Sequence, residues 1–218
     1  MSEKSSNIEV VSGTQYKYSS SWIHSLESEK HWRLYWQQQN IMEDLVDAGQ
    51  HVLEIGVGSG FAANYLRSKN IAVTTLDIDE DKNPDIVANL VTYEFQKVYD
   101  HILGFEVFEH IPFKEFKELL DTFGKICNGY LFISLPRNER VWIQCDVKLP
   151  ILGNRRFEVT TLKRKITEPH HFWEVDYGEF NKRYLENTFN QHGFEVFNCQ
   201  KKFSKLFYTL KSPNNTNL

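Results

Sequence analysis

Apolar positions along this chain alternate between short continuous runs and longer stretches with helical spacing. From about Ser25 to Ala48, Trp32, Tyr35, Trp36, Met42, Leu45 and Val46 recur on one side of a helix, and Gly49 supplies its stop. A strand over His51–Ile55 precedes a glycine-rich turn and a helix marked by Phe61, Ala62, Tyr65 and Leu66. Further strands are expected at Ile71–Leu76, Asp85–Ala88 (behind Pro84), Tyr99–Phe105 and the buried run Tyr130–Leu135. Phe113, Phe116, Leu119, Leu120 and Phe123 give an amphipathic helix between the last two. A helix over about Tyr177–His192 and two runs, Phe194–Phe203 and Leu206–Lys211, close the chain; the two runs are near enough to pair antiparallel.

Strands alternating with helices predict a doubly wound α/β fold, a mostly parallel sheet covered on both faces. Residues 1–24 read as a polar tail and lead-in, with 25–218 as one domain; 212–218 read as a second tail. Residues 137–168 break the rhythm. Being mixed, basic and irregular, the segment from 137 to about 176 is expected to act as a lid, too short for a separate fold.

The formal charge of −4 gives no general drive toward nucleic acid or an anionic membrane, and the basic runs at Arg155-Arg156, Lys163–Lys165 and Lys201-Lys202 read as solvated loops. No apolar run approaches the ~20 residues of a membrane helix, and the start of the chain lacks the apolar segment of a signal peptide. Three widely spaced cysteines fit a reducing compartment. A cytoplasmic protein is expected.

The chemistry centres on Glu54-Ile-Gly-Val-Gly-Ser-Gly60. Glycines between a first strand and its helix let a ligand approach the backbone closely. A dinucleotide site needs a third glycine three residues after the second, and that place holds Phe61. Glu54 is awkward beside a pyrophosphate but suits a ligand carrying an ammonium or sulfonium. Asp77, at the end of the next strand, can accept two hydrogen bonds from a ribose diol, with Ile78 beside it; Asp79 is expected on the opposite face. Together these residues specify an adenosine-type ligand without phosphates.

Val52–Gly60 resembles the first motif of the class I S-adenosylmethionine (SAM)-dependent methyltransferases, and Asp77 matches their ribose-binding acid. Asn89-Leu90 resembles the family's adenine contact, and Tyr99–Pro112 its fourth strand and the segment after it. The resemblance implies a Rossmann-like, seven-stranded sheet with an antiparallel last strand, SAM as cofactor and S-adenosylhomocysteine as product. It assigns Glu54, Gly56, Gly58, Gly60, Asp77, Ile78, Asn89, Leu90 and Glu106 to the cofactor.

Methyl transfer needs an aligned acceptor and sometimes a base. Two clusters after the later strands offer one: Glu106-x-x-Glu109-His110, and Glu168-Pro-His170-His171-Phe172-Trp173-Glu174. His110 and His171 are the candidate proton acceptors, with His170 as an alternative and Phe172 and Trp173 as candidate pocket walls. Glu106, Glu109 and His110 also have the donor types for Mg²⁺ or Mn²⁺, a pattern similar to ubiquinone-biosynthesis O-methyltransferases and small-RNA 2′-O-methyltransferases. Arg137, ending the fifth strand on the same rim, is read as an exposed loop arginine, with substrate contact as the alternative. The leading expectation is a methyltransferase acting on O or N of a small molecule, with nucleic acid and membrane partners not expected. The alternatives are a metal-assisted O-methyltransferase and a non-catalytic SAM-binding subunit.

Overall fold

The buried strands place their side chains alternately on two helical layers, and this builds the molecule. The computed structural model describes residues 8–11, 15–18, 28–150, 153–166 and 168–215. Helix α1 (Glu29–Met42) is followed by β3 (His51–Ile55), α2 (Phe61–Ser68), β4 (Ala72–Asp77), β5 (Ile86–Val87), β6 (His101–Phe105), α3 (Phe113–Ile126) and β7 (Tyr130–Pro136). After an inserted pair, β8 (Glu139–Leu149) and β9 (Gly153–Leu162), come α4 (Lys182–Gln191), β10 (Glu195–Lys202) and β11 (Lys205–Lys211).

Seven strands form one sheet in the order β10-β11-β7-β6-β3-β4-β5. The neighbours from β7 to β5 pair parallel, whereas β11 pairs antiparallel with both β7 and β10. This is the expected doubly wound sheet. The last two strands form the expected antiparallel pair at the edge of the sheet, with β10 outermost and β11 between it and β7. Along β7, Leu131, Ile133 and Leu135 face the layer containing Phe116, Leu120, Phe123, Leu185 and Phe189, while Phe132 faces Leu34, Ile41 and Leu66 on the other side.

Four expectations need correction. The first helix buries Leu34, Gln37, Gln38, Ile41 and Met42, whereas Trp32 and Trp36 are 49% and 63% exposed. The i, i+3, i+4, i+7 row decides the buried face, and aromatic bulk does not. The proposed start at Ser25 lies outside the described residues, and at the other end the helix stops at Met42 rather than Ala48. Within the expected polar lead-in, Ile8–Val11 and Gln15–Tyr18 pair as a short hairpin (β1, β2), as their β-branched and aromatic residues favour. The C-terminal tail is anchored as far as Asn215. Ser212 Oγ donates to the Cys127 carbonyl at 2.5 Å and Asn214 Nδ2 to that of Gly124 at 2.7 Å.

The largest correction is the insertion. Residues 139–162 are an antiparallel β-ribbon, paired from Glu139↔Leu162 to Leu149↔Gly153 with a bulge at Trp142. The alternation Val141, Ile143, Cys145, Val147 was masked by the interspersed charges and by that bulge, which shifts the period.

Candidate active site

A cavity of about 640 Å³ opens beyond the carboxyl ends of β3, β4 and β6, within the usual range for a small-molecule site. On one side it is lined by Glu54, Gly56, Val57, Gly58, Asp77, Ile78, Ala88 and Leu90, and on the other by Glu106, Glu109, His110, Arg137, His171 and Lys205.

The glycine turn joins β3 to α2 with positive φ at Gly56, Gly58 and Gly60 (76°, 56° and 74°). A Cβ on Gly56 would sit 2.5 Å from Val107 Cγ2, whereas one on Gly58 would meet nothing within 4 Å. Gly56 is therefore required by packing, and Gly58 leaves a cradle open to a ligand. Tyr35 of α1 reaches down to this turn, its hydroxyl 2.9 Å from Ser59 Oγ, and stacks on Phe61.

Glu54 is 4% exposed, and its Oε2 has no hydrogen-bond partner among the described residues. Burial pushes its carboxyl up to about 8, opposed in part by Arg67. A buried acid with an orphaned oxygen at the cavity wall fits a cationic ligand group. Asp77 is more committed than the sequence suggests. Its Oδ2 accepts from Val57 N at 2.9 Å, its Oδ1 accepts from Asp79 N at 2.9 Å, and Lys82 Nζ lies 3.4 Å from both oxygens. Asp77 thus braces the turn, and its remaining lone pairs are what it can offer a diol. Asp79 does not continue the strand: β4 stops at Asp77, and the buried Asp79 accepts from Asp81 N to cap a short 3₁₀ turn.

The other cofactor candidates divide. Leu90 and Ile78 line the cavity. Asn89 does not; its Oδ1 accepts from Val91 N at 2.9 Å, closing a local turn, and Ala88 lines the wall in its place. Glu106, with φ of 58°, accepts from Ser134 Oγ at 2.7 Å and forms a short ion pair with Lys205. Lys205 had no signal in the sequence, since β11 brings it across 99 residues.

The two chemical clusters meet on the far wall. One ligand atom from each of Glu109, His110 and His171 lies within 4.8 Å of the others. Glu109 is 1% exposed, and burial, then repulsion from Glu106, raises its carboxyl well above the usual range; its Oε2 has no hydrogen-bond partner among the described residues. Burial, then His171, pulls His110 down to about 4, so it is neutral near pH 7; its Nδ1 donates to the His170 carbonyl at 3.1 Å. His171 Nδ1 lies 2.8 Å from Glu174 Oε1, and Glu174 Oε2 accepts from Asn138 Nδ2 at 2.6 Å. A carboxylate accepts, so Nδ1 carries the proton and Nε2 is the basic nitrogen.

Asn138 and its pairing with Glu174 escaped the sequence reading because the two stand 36 residues apart and meet only across the base of the ribbon. His170 supplies its carbonyl and does not line the cavity. Trp173 is fully buried, donates from Nε1 to the Ile111 carbonyl at 3.0 Å and stacks on Phe116; it is core, not pocket wall. Phe172 is 37% exposed and also lies outside the lining. Arg137 is not an exposed loop residue: it pairs with Asp176 and, at 2.9 Å, with Glu139.

A doubly wound sheet with a glycine-turn cavity beyond its strand ends and an acid–imidazole wall opposite is the architecture of a small-molecule site. Residues 36–198 match the family model described as a methyltransferase domain, and the chain belongs to that family. A probable (S)-tetrahydroprotoberberine N-methyltransferase from Papaver bracteatum is 32% identical over an alignment of 118 positions that covers 46% of this chain and 31% of the relative's length. Among solved structures, a SAM-dependent methyltransferase from Clostridium acetobutylicum shares the fold at a TM-score of 0.54 and 11% identity, covering 88% of this chain and 95% of that one. The N-methyltransferase NodS of Bradyrhizobium japonicum, in complex with S-adenosylhomocysteine, does so at 0.57 and 10%, covering 87% and 91%. The glycopeptide N-methyltransferase MtfA with sinefungin gives 0.57 and 11%, covering 82% and 94%.

Proposed function

We propose that this chain transfers the methyl group of SAM to a nitrogen or oxygen of a small-molecule acceptor, with His171 receiving the acceptor's proton. The observation carrying the reading is that one cavity holds the orphaned Glu54 carboxylate on one wall and the Glu174-backed His171 on the other. The names of the Papaver enzyme, NodS and MtfA favour nitrogen.

SAM, when bound, supplies an electrophilic methyl on a sulfonium that leaves as a neutral thioether. Glu54 would take the cofactor's cationic part, the open face over Gly58 its backbone approach, and Asp77 and Leu90 the ribose and adenine. On the other wall the acceptor's lone pair forms the new bond to carbon, and its proton passes to His171 Nε2. Glu174 holds the ring in the required tautomer and stabilises the imidazolium, while Asn138 fixes Glu174.

Thermal shifts with SAM, S-adenosylhomocysteine and NAD test the cofactor half: about 2.7 kcal/mol of stabilisation is expected at a hundredfold excess over Kd. A larger shift with NAD would refute it. For the chemical half, His171→Asn should lower kcat by about 10²–10⁴-fold and leave SAM affinity unchanged. Turnover of an amine panel, followed by release of S-adenosylhomocysteine, provides the readout.

One observation favours a second reading. Glu109, His110 and His171 present their donor atoms in one group, a set suited to a divalent ion that would polarise an acceptor hydroxyl. Glu106, placed in the metal set from sequence, is instead occupied by Ser134 and Lys205. Loss of turnover on thorough chelation, restored by Mg²⁺ or Mn²⁺, selects this metal-assisted reading; full activity after chelation eliminates it.

A further inference from the structure

The β8–β9 ribbon is built inside out. Strand alternation gives it two faces. The face turned to the body is polar: Glu158 pairs with Lys201 at 3.5 Å, Asp146 with Arg156 at 2.7 Å, and the Arg156 guanidinium lies over the Phe203 ring. The opposite face carries the cross-strand neighbours Ile143↔Val159 and Cys145↔Phe157, with the bulged Trp142 at its end. Trp142, Ile143, Phe157 and Val159 are 55–62% exposed, although a two-stranded ribbon normally turns such residues inward.

Charge defines what this face fits. Residues 139–165 contain seven Lys and Arg against three Asp and Glu, a net of +4 in a chain whose formal charge is −4. All three acids are held in ion pairs, Glu139 by Arg137 and Lys201, and the other two as above. Arg140, Lys148, Lys163, Arg164 and Lys165 are exposed and have no ion pair with a described residue. Arg140 instead lies over the Trp142 ring. An exposed aromatic–aliphatic stripe rimmed by uncompensated cations is the composition of a surface that settles into anionic headgroups.

Area and charge oppose a protein partner of the same kind. A ten-residue, two-stranded ribbon offers a face of about 33 Å by about 10 Å, roughly 300 Å², against about 800 Å² per partner in a stable interface. Two copies face to face would also bring like charges together.

We infer that the ribbon's outer face docks on an anionic lipid surface, Trp142 and Phe157 entering the headgroup region and the basic rim pairing with phosphates. Lys163 also lines the cavity, so the docked face is continuous with the cavity mouth.

The test is co-sedimentation of the full chain with phosphatidylglycerol–phosphatidylcholine vesicles and with phosphatidylcholine alone. Binding to the anionic vesicles alone is expected, weakening as salt rises to about 0.5 M. Trp142→Ser with Phe157→Ser should lower binding by at least about tenfold. Arg140→Glu, on the same face as Phe157 and Val159, should lower it by about fivefold or more. The positions are exposed and outside the cavity, so an unchanged melting temperature and unchanged S-adenosylhomocysteine affinity show that the variants are folded. Equal binding to both vesicles, or binding to neither, overturns the inference. So does a concentration-dependent dimer that the double variant abolishes, which assigns the face to a second copy. Tighter binding to single-stranded nucleic acid than to vesicles also overturns it.

Discussion

At the scale of single residues, the glycine turn separates two requirements that look identical in sequence. Gly56→Ala meets both a positive φ and the Val107 side chain, so it should destabilise the fold by about 1–3 kcal/mol as well as weaken cofactor binding. Gly58→Ala meets only the backbone strain, so its loss of affinity should exceed its loss of stability; calorimetric melting and isothermal titration on both variants check this. Glu54 adds a pH signature. Its carboxyl is raised to about 8, so the apo protein holds a proton there that the unfolded chain releases, and this contribution to stability is lost as pH rises from about 4.5 through 8. A cationic ligand prefers the ionised form, so SAM affinity should increase over the same rise, and Glu54→Gln should flatten both trends. Glu54, Gly56 and Asp77 were legible because they lie in one short motif and the next strand. Asn138, Lys205 and the pairing of Glu174 were not, since their meaning arises from contacts across 36 and 99 residues.

At the scale of elements, the segment from His170 to Val175 is positioned by what it buries. Trp173 packs among Phe113, Phe116 and Phe180 and bonds to the Ile111 carbonyl; Phe172 N donates to the Glu109 carbonyl, so the two chemical clusters are stitched together by main chain. Trp173→Phe leaves that carbonyl unpaired. It should cost about 1–3 kcal/mol, seen as a fall of several degrees in Tm, and should reduce turnover by displacing His171. The main helices and strands were readable because their apolar spacing is long and regular. The ribbon was not: its apolar residues face outward, and a pattern read for burial assigns no element to a strand whose core side is charged.

For the whole molecule, acid sensitivity is shared between the two ends of the sheet. His101, packed near Gln50 and Tyr130, and His110 at the cavity are both pulled down to about 4 by burial. Each adds stability that is present above about 6.5 and is lost as pH falls through 4. Tm should therefore drop from pH 7 to pH 4, and His101→Asn should lessen the drop without altering the pH profile of turnover. The alternation of elements revealed the parallel sheet, but the slot taken by the last strand was not visible, because period and propensity do not rank neighbours. That slot has a consequence for biogenesis. Strand β11 inserts between β7 and β10, and its first residue is the partner of Glu106, so a nascent chain still lacking residues 205–211 leaves β7 without a neighbour on one side, β10 without a partner and an uncompensated acid in its cavity. Assembly of the cavity must then await the pairing of residues 205–211, and chains truncated before Lys205 should be recovered as protease-sensitive, SAM-blind species.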